Sequence, residues 1–390
     1  MSVENPQFQG LLPTAEFINR PINLQAKDGD PRKTAWAISL LKPHQREVKI
    51  WQEFQLMART AIQGKGDQPA LTVAQTEAQW GHSVAIDRPL PGAKEVFTRR
   101  KHFAPEHIVT VTGGVQALGQ LAVEHGLLTP KDVSELETAA MVHDAGKELE
   151  FLCVKYALEL NFNTHKITDL LSSPDIDIAA RYKPEFDQVV AQFSKRISRI
   201  TRNVGRRAQL AYDLASTVNE LRLKSKGVSP KVIIIQKMVG HSSCPDTEAL
   251  LKSLKRTKTG SVKQREIIAT LIMHYVDDIV TNPNVINPGK DRNGEYALDS
   301  RCSQNEANKG YTQYNKAWKK DPRNQKGRET AFQMQRRVGH LVENKLAELL
   351  DVEDPLTLPT VINTRIRTNI HANWHRRQRH IKLDKASTTK

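Results

Sequence analysis

Aromatic residues make up only 6% of this 390-residue chain, and cysteines number three. No apolar run approaches the roughly 18 residues that a membrane-spanning helix needs, so no span is expected. Cys153, Cys244 and Cys302 form no Cys-x-x-Cys pair and are odd in number, which argues against a disulfide framework or a thiolate zinc site. The simplest compartment for such a chain is a reducing, cytoplasmic one. The start, Met1-Ser2-Val3-Glu4-Asn5-Pro6, lacks a basic stretch leading into an apolar one, so no secretory signal is expected.

Positive charge is not scarce. The formal net charge is +15, which favours anionic partners: nucleotides, inorganic phosphates, nucleic acid or anionic lipid. Hydrophobic residues at 38% and charged residues at 26% suit a globular chain with a sizeable core.

The expected organisation is all-α, with three stretches. Residues 1–100 read as an N-terminal extension, irregular over 1–40 and helical over 44–63, where Val48, Trp51, Phe54 and Met57 recur at helical spacing. A long connection broken by Gly and Pro follows, over 64–103. Residues 101–285 read as a helical core. Pro105 suits a helix start, and Ile108, Val111, Val115, Leu118 and Ala122 form a stripe ending at Gly126. Gly113-Gly114 interrupts that stripe at a helix cost of about 1 kcal/mol each, which favours tight helix packing there over approach of a ligand. Thr129-Pro130 opens the next helix, and residues 184–223 give one long helix or two with a break near Gly205. Residues 231–239 suit a strand or a short buried helix, and 262–281 an apolar-striped helix. Residues 286–390 read as loop, a helix over 328–350, and a basic tail from Arg365 whose default is a solvated, partly disordered end. Trp374 and His375 among its arginines offer nucleic-acid stacking as the other reading.

The sharpest local signal is Met141-Val142-His143-Asp144-Ala145-Gly146-Lys147. Its imidazole and carboxylate sit in an apolar helix, and a buried carboxylate needs a partner. A divalent cation is one, since both groups are metal ligands. A hydrogen-bonded His–Asp pair is the plainer alternative. His107 opens the preceding helix, and Asp277 lies in the apolar segment Ile272-Met273-His274-Tyr275-Val276-Asp277-Asp278.

A lone His, an adjacent His-Asp pair and a distant Asp resemble the HD-domain metal-dependent phosphohydrolase superfamily, over about residues 105–285. The resemblance implies an all-helical bundle in which His107, His143, Asp144 and Asp277 hold a divalent metal (Mn, Fe, Co, Ni, Zn or Mg). Val239-Gly240-His241-Ser242 resembles a histidine of dinuclear members, and His165 is the candidate for the other, so one or two ions are implied. The acid pair of guanosine tetraphosphate hydrolases is absent, Lys147 standing near its place, and so is the Gly-Tyr-Pro signature of cyclic di-GMP phosphodiesterases. Neither substrate is expected.

The implied activity is hydrolysis of a nucleotide or related phosphate ester by a metal-activated water, with Asp144 and Lys147 in catalytic roles. Lys147 lies one turn after His143 and joins Arg206, Arg207, Arg256 and Arg301 as candidate phosphate contacts. Two other functions stand beside it. A dinuclear iron oxygenase on the same scaffold would need His165 and His241. A nucleic-acid-binding protein would use the basic surface and keep only a structural metal site.

Overall fold

The computed structural model describes residues 31–50, 105–145, 204–239, 243–281, 285–307 and 329–388, with isolated positions at 188, 192 and 319. Within them the chain is all-α. Ten α-helices are joined by short 3-10 turns and one antiparallel pair of two-residue strands. In chain order the helices are α1 (Pro31–Leu41), α2 (Pro105–Glu124), α3 (Pro130–Val142), α4 (Val204–Ser225) and α5 (Pro230–Gln236). They continue as α6 (Cys244–Leu254), α7 (Val262–Ile279), α8 (Ala297–Ala307), α9 (Ala331–Leu349) and α10 (Leu358–Thr388). Strands β1 (Val280–Thr281) and β2 (Val285–Ile286) pair between α7 and α8. No helix among the described residues is long and apolar enough to cross a membrane.

Two helices make the centre. In α7 every residue from Ile267 to Ile279 is buried, and α2 is buried on nearly all sides from His107 to Leu118. A helix apolar all round must sit inside others. Around this pair pack α3, α5, α9 and α10, with α1 laid on α2 and α10. Helix α2 stops where Gly126 takes φ +69°, and the Leu127 N–H returns to the Ala122 carbonyl at 2.8 Å. Thr129 then opens α3 with a capping box, its side chain accepting from the Asp132 N–H while Asp132 accepts from the Thr129 N–H. Asp132 also receives Lys231 of α5 at 2.6 Å and Arg265 of α7 at 3.1 Å, so one carboxylate ties three helices together.

The paired glycines mark close packing, as their spacing suggests. A Cβ on Gly113 would stand 2.5 Å from the Trp36 ring, and one on Gly114 would stand 2.6 Å from Val276 Cγ1. Only glycine lets α1 and α7 approach α2 this closely.

Three polar stretches are more ordered than their composition suggests. Residues 31–41 are helical, not irregular, because Trp36, Leu40 and Leu41 bury one face against α2 and α10. Residues 297–307 form α8 inside a stretch that reads as loop; Ala297, Leu298, Arg301 and Cys302 face α9 and β1. The basic tail is the continuous helix α10 through Thr388, not a disordered end. Leu358, Ile362, Ile366 and Ile370 recur every four residues and are buried against its neighbours. Residues 230–236 resolve as helix, with Ser229 as N-cap and Pro230 in the first turn. Helix α4 runs through Gly205 from Val204 to Ser225, and the part of the expected 184–223 segment before it lies outside the described residues apart from positions 188 and 192.

Candidate metal centre

Four side chains meet where α2, α3 and α7 converge. His107 is the third residue of α2, His143 caps the C-terminus of α3, Asp144 follows it, and Asp277 is third from the end of α7. The His-Asp pair therefore lies at the end of its apolar helix, not within it. All four are buried, with exposures of 0 to 4%.

The distances are short. The Nε2 atoms of His107 and His143 are 3.2 Å apart. Asp144 Oδ2 lies 3.2 Å from His107 Nε2 and 3.4 Å from His143 Nε2. Asp277 Oδ1 is 3.5 Å from each of the same two nitrogens. Two ligands bound to one cation at about 2.0–2.2 Å keep about this spacing. The group His107, His143 and Asp144 can hold a metal ion, and Asp277 adds a second carboxylate against both imidazoles.

Protonation follows from the partners. His143 Nδ1 sits 2.7 Å from the Ala140 carbonyl oxygen, which only accepts, so Nδ1 carries the hydrogen. Nε2 then faces the cluster, and a cation bound there would take the place of its proton. Burial disfavours a charged His143, but Asp144 and Asp277 outweigh it and raise its pKa to about 10. Burial would likewise raise Asp277, yet the Arg301 guanidinium and the two imidazoles hold it well below the usual carboxylate range. Two carboxyl groups thus face two ring nitrogens, all four side chains being buried. Asp277 Oδ1 makes no hydrogen bond of good geometry there. This donor set fits a divalent cation.

A second buried layer lies behind Asp277. The Gln335 amide donates to Asp278 Oδ1 at 2.6 Å, and Asp278 Oδ2 is 3.3 Å from His274 Nε2. His274 Nδ1 faces the Met238 carbonyl at 3.1 Å. Burial pushes Asp278 above its ordinary pKa, so the adjacent acids Asp277 and Asp278 are driven in opposite directions. In the sequence, His274 and Asp278 look only like polar neighbours of Asp277, and Gln335 carries no signal at all.

Of the arginines weighed as phosphate contacts, the structure brings Arg301 to the site, its Nη2 lying 3.8 Å from Asp277 Oδ2. Arg256 is exposed in the turn before α7, whose first residue lies about 22 Å along the helix axis from Asp277 at 1.5 Å per residue. Arg206 and Arg207 fall in α4, with side chains outside the described residues. Lys147, His165 and His241 also lie outside them.

No family model matches the chain, and no curated protein or solved structure matches it either.

Proposed function

We propose that this protein is a metal-dependent phosphohydrolase of the HD type, acting on a nucleotide or related phosphate ester. The observation that carries the reading is the convergence of His107, His143, Asp144 and Asp277 from three helices into one buried group with donor atoms 3.2–3.5 Å apart. These four side chains would hold a divalent cation, which when bound would supply polarisation of a phosphoryl oxygen and a lowered pKa for a water. With a cation in place of the His143 ring proton, the two imidazoles would supply neutral donors and the two carboxylates the charge that holds it. The Ala140 carbonyl fixes the His143 ring, so its donor needs no reorientation. The net charge of +15 suits an anionic substrate. The cation is Mn, Fe, Co, Ni, Zn or Mg, since a His/Asp set serves all of them.

Elemental analysis of the purified protein, paired with phosphate release across a panel of nucleotides and simple phosphate esters, tests the reading. A stoichiometric divalent metal is expected, with phosphate release that is lost in His143→Ala and in Asp144→Ala. Hydrolysis that survived both substitutions, or a protein that took up no metal, would sink it.

A further inference from the structure

Arg301 is almost wholly buried, at 7% exposure, yet among the described residues its guanidinium makes only long contacts. Arginine carries five N–H donors. Here Nη1 reaches the Val280 carbonyl only at 3.5 Å, and Nε makes no hydrogen bond. Nη2 stands 3.8 Å from Asp277 Oδ2. A guanidinium built to neutralise Asp277 would close to about 2.7–2.9 Å, often with two parallel bonds. A buried charge with empty donors is costly, and native structures leave few such groups without a reason.

Among the described residues, the nearby acidic groups are turned elsewhere. Asp278 is engaged by Gln335 and faces His274. Asp144 and Asp277 are turned to the two histidines. Helix α8, which carries Arg301, is fixed against β1, α7 and α9. The guanidinium is therefore held at the edge of the cluster by its scaffold. Once a cation takes the charge of Asp277, the positive charge of Arg301 keeps only the neighbouring Asp278, whose oxygens face Gln335 and His274.

We propose that Arg301 is the oxyanion-binding group of this site and takes a phosphoryl oxygen of the substrate. That the anion is a phosphoryl group rests on the hydrolase reading; that Arg301 binds an oxyanion rests on its burial, its unbonded Nε and its long contacts among the described residues. Planar donors suit two oxygens of one phosphate better than the point charge of a lysine does.

Calorimetric titration and thermal melting of the full chain test this without turnover. Wild type, Arg301→Gln and Arg301→Lys are each titrated with inorganic phosphate and with acetate, with and without manganese(II). The expected result is phosphate binding to the manganese-loaded wild type that weakens at least tenfold in Arg301→Gln and partly in Arg301→Lys. Manganese affinity should hold or rise in Arg301→Gln, because a cation beside Asp277 has gone. Each variant serves as its own baseline for the phosphate-induced change, so a loss of stability does not hide the result. Equal phosphate binding in wild type and Arg301→Gln overturns the proposal, as does no phosphate binding to wild type in either state. Arg301-dependent binding of acetate in place of phosphate overturns the phosphoryl assignment. Absence of any manganese response removes the metal centre alone, and the metal-free titrations still test Arg301.

Discussion

Gly114→Ala probes the contact that aligns the two halves of the metal centre. Gly114 lies two turns after His107 on α2, so both share one face. Val276, which it meets, directly precedes Asp277 on α7. An added Cβ would stand 2.6 Å from Val276 Cγ1 and 3.4 Å from Ile286 Cδ1. Carbon atoms prefer about 3.5–4.0 Å, so the helices must part by several tenths of an ångström or more. Overpacking of this kind costs about 1–3 kcal/mol, while alanine regains about 1 kcal/mol of helix propensity over glycine. The balance is a destabilisation of about 0–2 kcal/mol, read as a lower urea midpoint at unchanged slope. Parting the helices also lengthens the 3.5 Å separation of His107 and Asp277, and manganese(II) affinity should fall about tenfold. Val276→Ala removes the obstructing methyls. The double variant should therefore be less destabilised than the two single effects added, by about 1 kcal/mol or more. A Gly114→Ala protein more stable than wild type by about 1 kcal/mol, with additive behaviour in the cycle, would show an open helix position and refute the reasoning.

Two further predictions concern pH. Although burial opposes it, Lys231 and Thr129 lower the pKa of Asp132 from 3.8 to about 2. Its contribution, about 2 kcal/mol, is therefore present above pH 4 and lost as pH falls toward 2; Asp132→Ala should lose that much at pH 7 in urea unfolding and show a shallower decline between pH 4 and 2. On α9, Glu343 and Asp299 raise His340 to about 9, against the opposing effect of burial. Its stabilisation is complete below pH 6.5 and is lost as pH rises toward 9. For an imidazole about one-third exposed this is worth about 1–2 kcal/mol after solvent screening, and His340→Asn should flatten stability across that window in thermal melts. An unchanged pH profile in either variant would count against the corresponding network.

The helices legible in the sequence are those whose apolar residues alone define a face. Ile108, Val111, Val115, Leu118 and Ala122 mark α2, and Gly126 and Thr129-Pro130 mark the turn after it, because termination and capping are local chemistry. The strand alternative for residues 231–239 fails for a similar reason. Ser229 and Pro230 start a helix, and Val232, Ile233 and Ile235 then bury themselves inside a helical assembly whatever their β propensity. Helices α1 and α8 are different. Each has 11 residues and a narrow apolar face, and isolated helices of that length are marginal in water. What holds them is tertiary: Trp36 over Gly113, and Leu298 against Gly339, whose added Cβ would meet it at 2.7 Å.

The same division runs through the site. His107, His143, Asp144 and Asp277 stand out because an ionisable group in an apolar helix is conspicuous wherever it occurs. Arg301 does not stand out. It lies in a polar stretch, Leu298-Asp299-Ser300-Arg301-Cys302-Ser303, where an arginine is ordinary, and in sequence it is no better a phosphate contact than Arg256. Burial separates the two. Arg301 is carried inward because α8 packs on β1 and α9, while Arg256 stays exposed in the turn before α7. A charged side chain acquires meaning from the desolvation imposed on it, and desolvation is decided by elements far away in sequence. Gln335 makes the same point from the opposite direction. On α9 it is one polar residue among many, yet 57 residues from Asp278 it donates the hydrogen bond that holds that buried carboxyl beside Asp277.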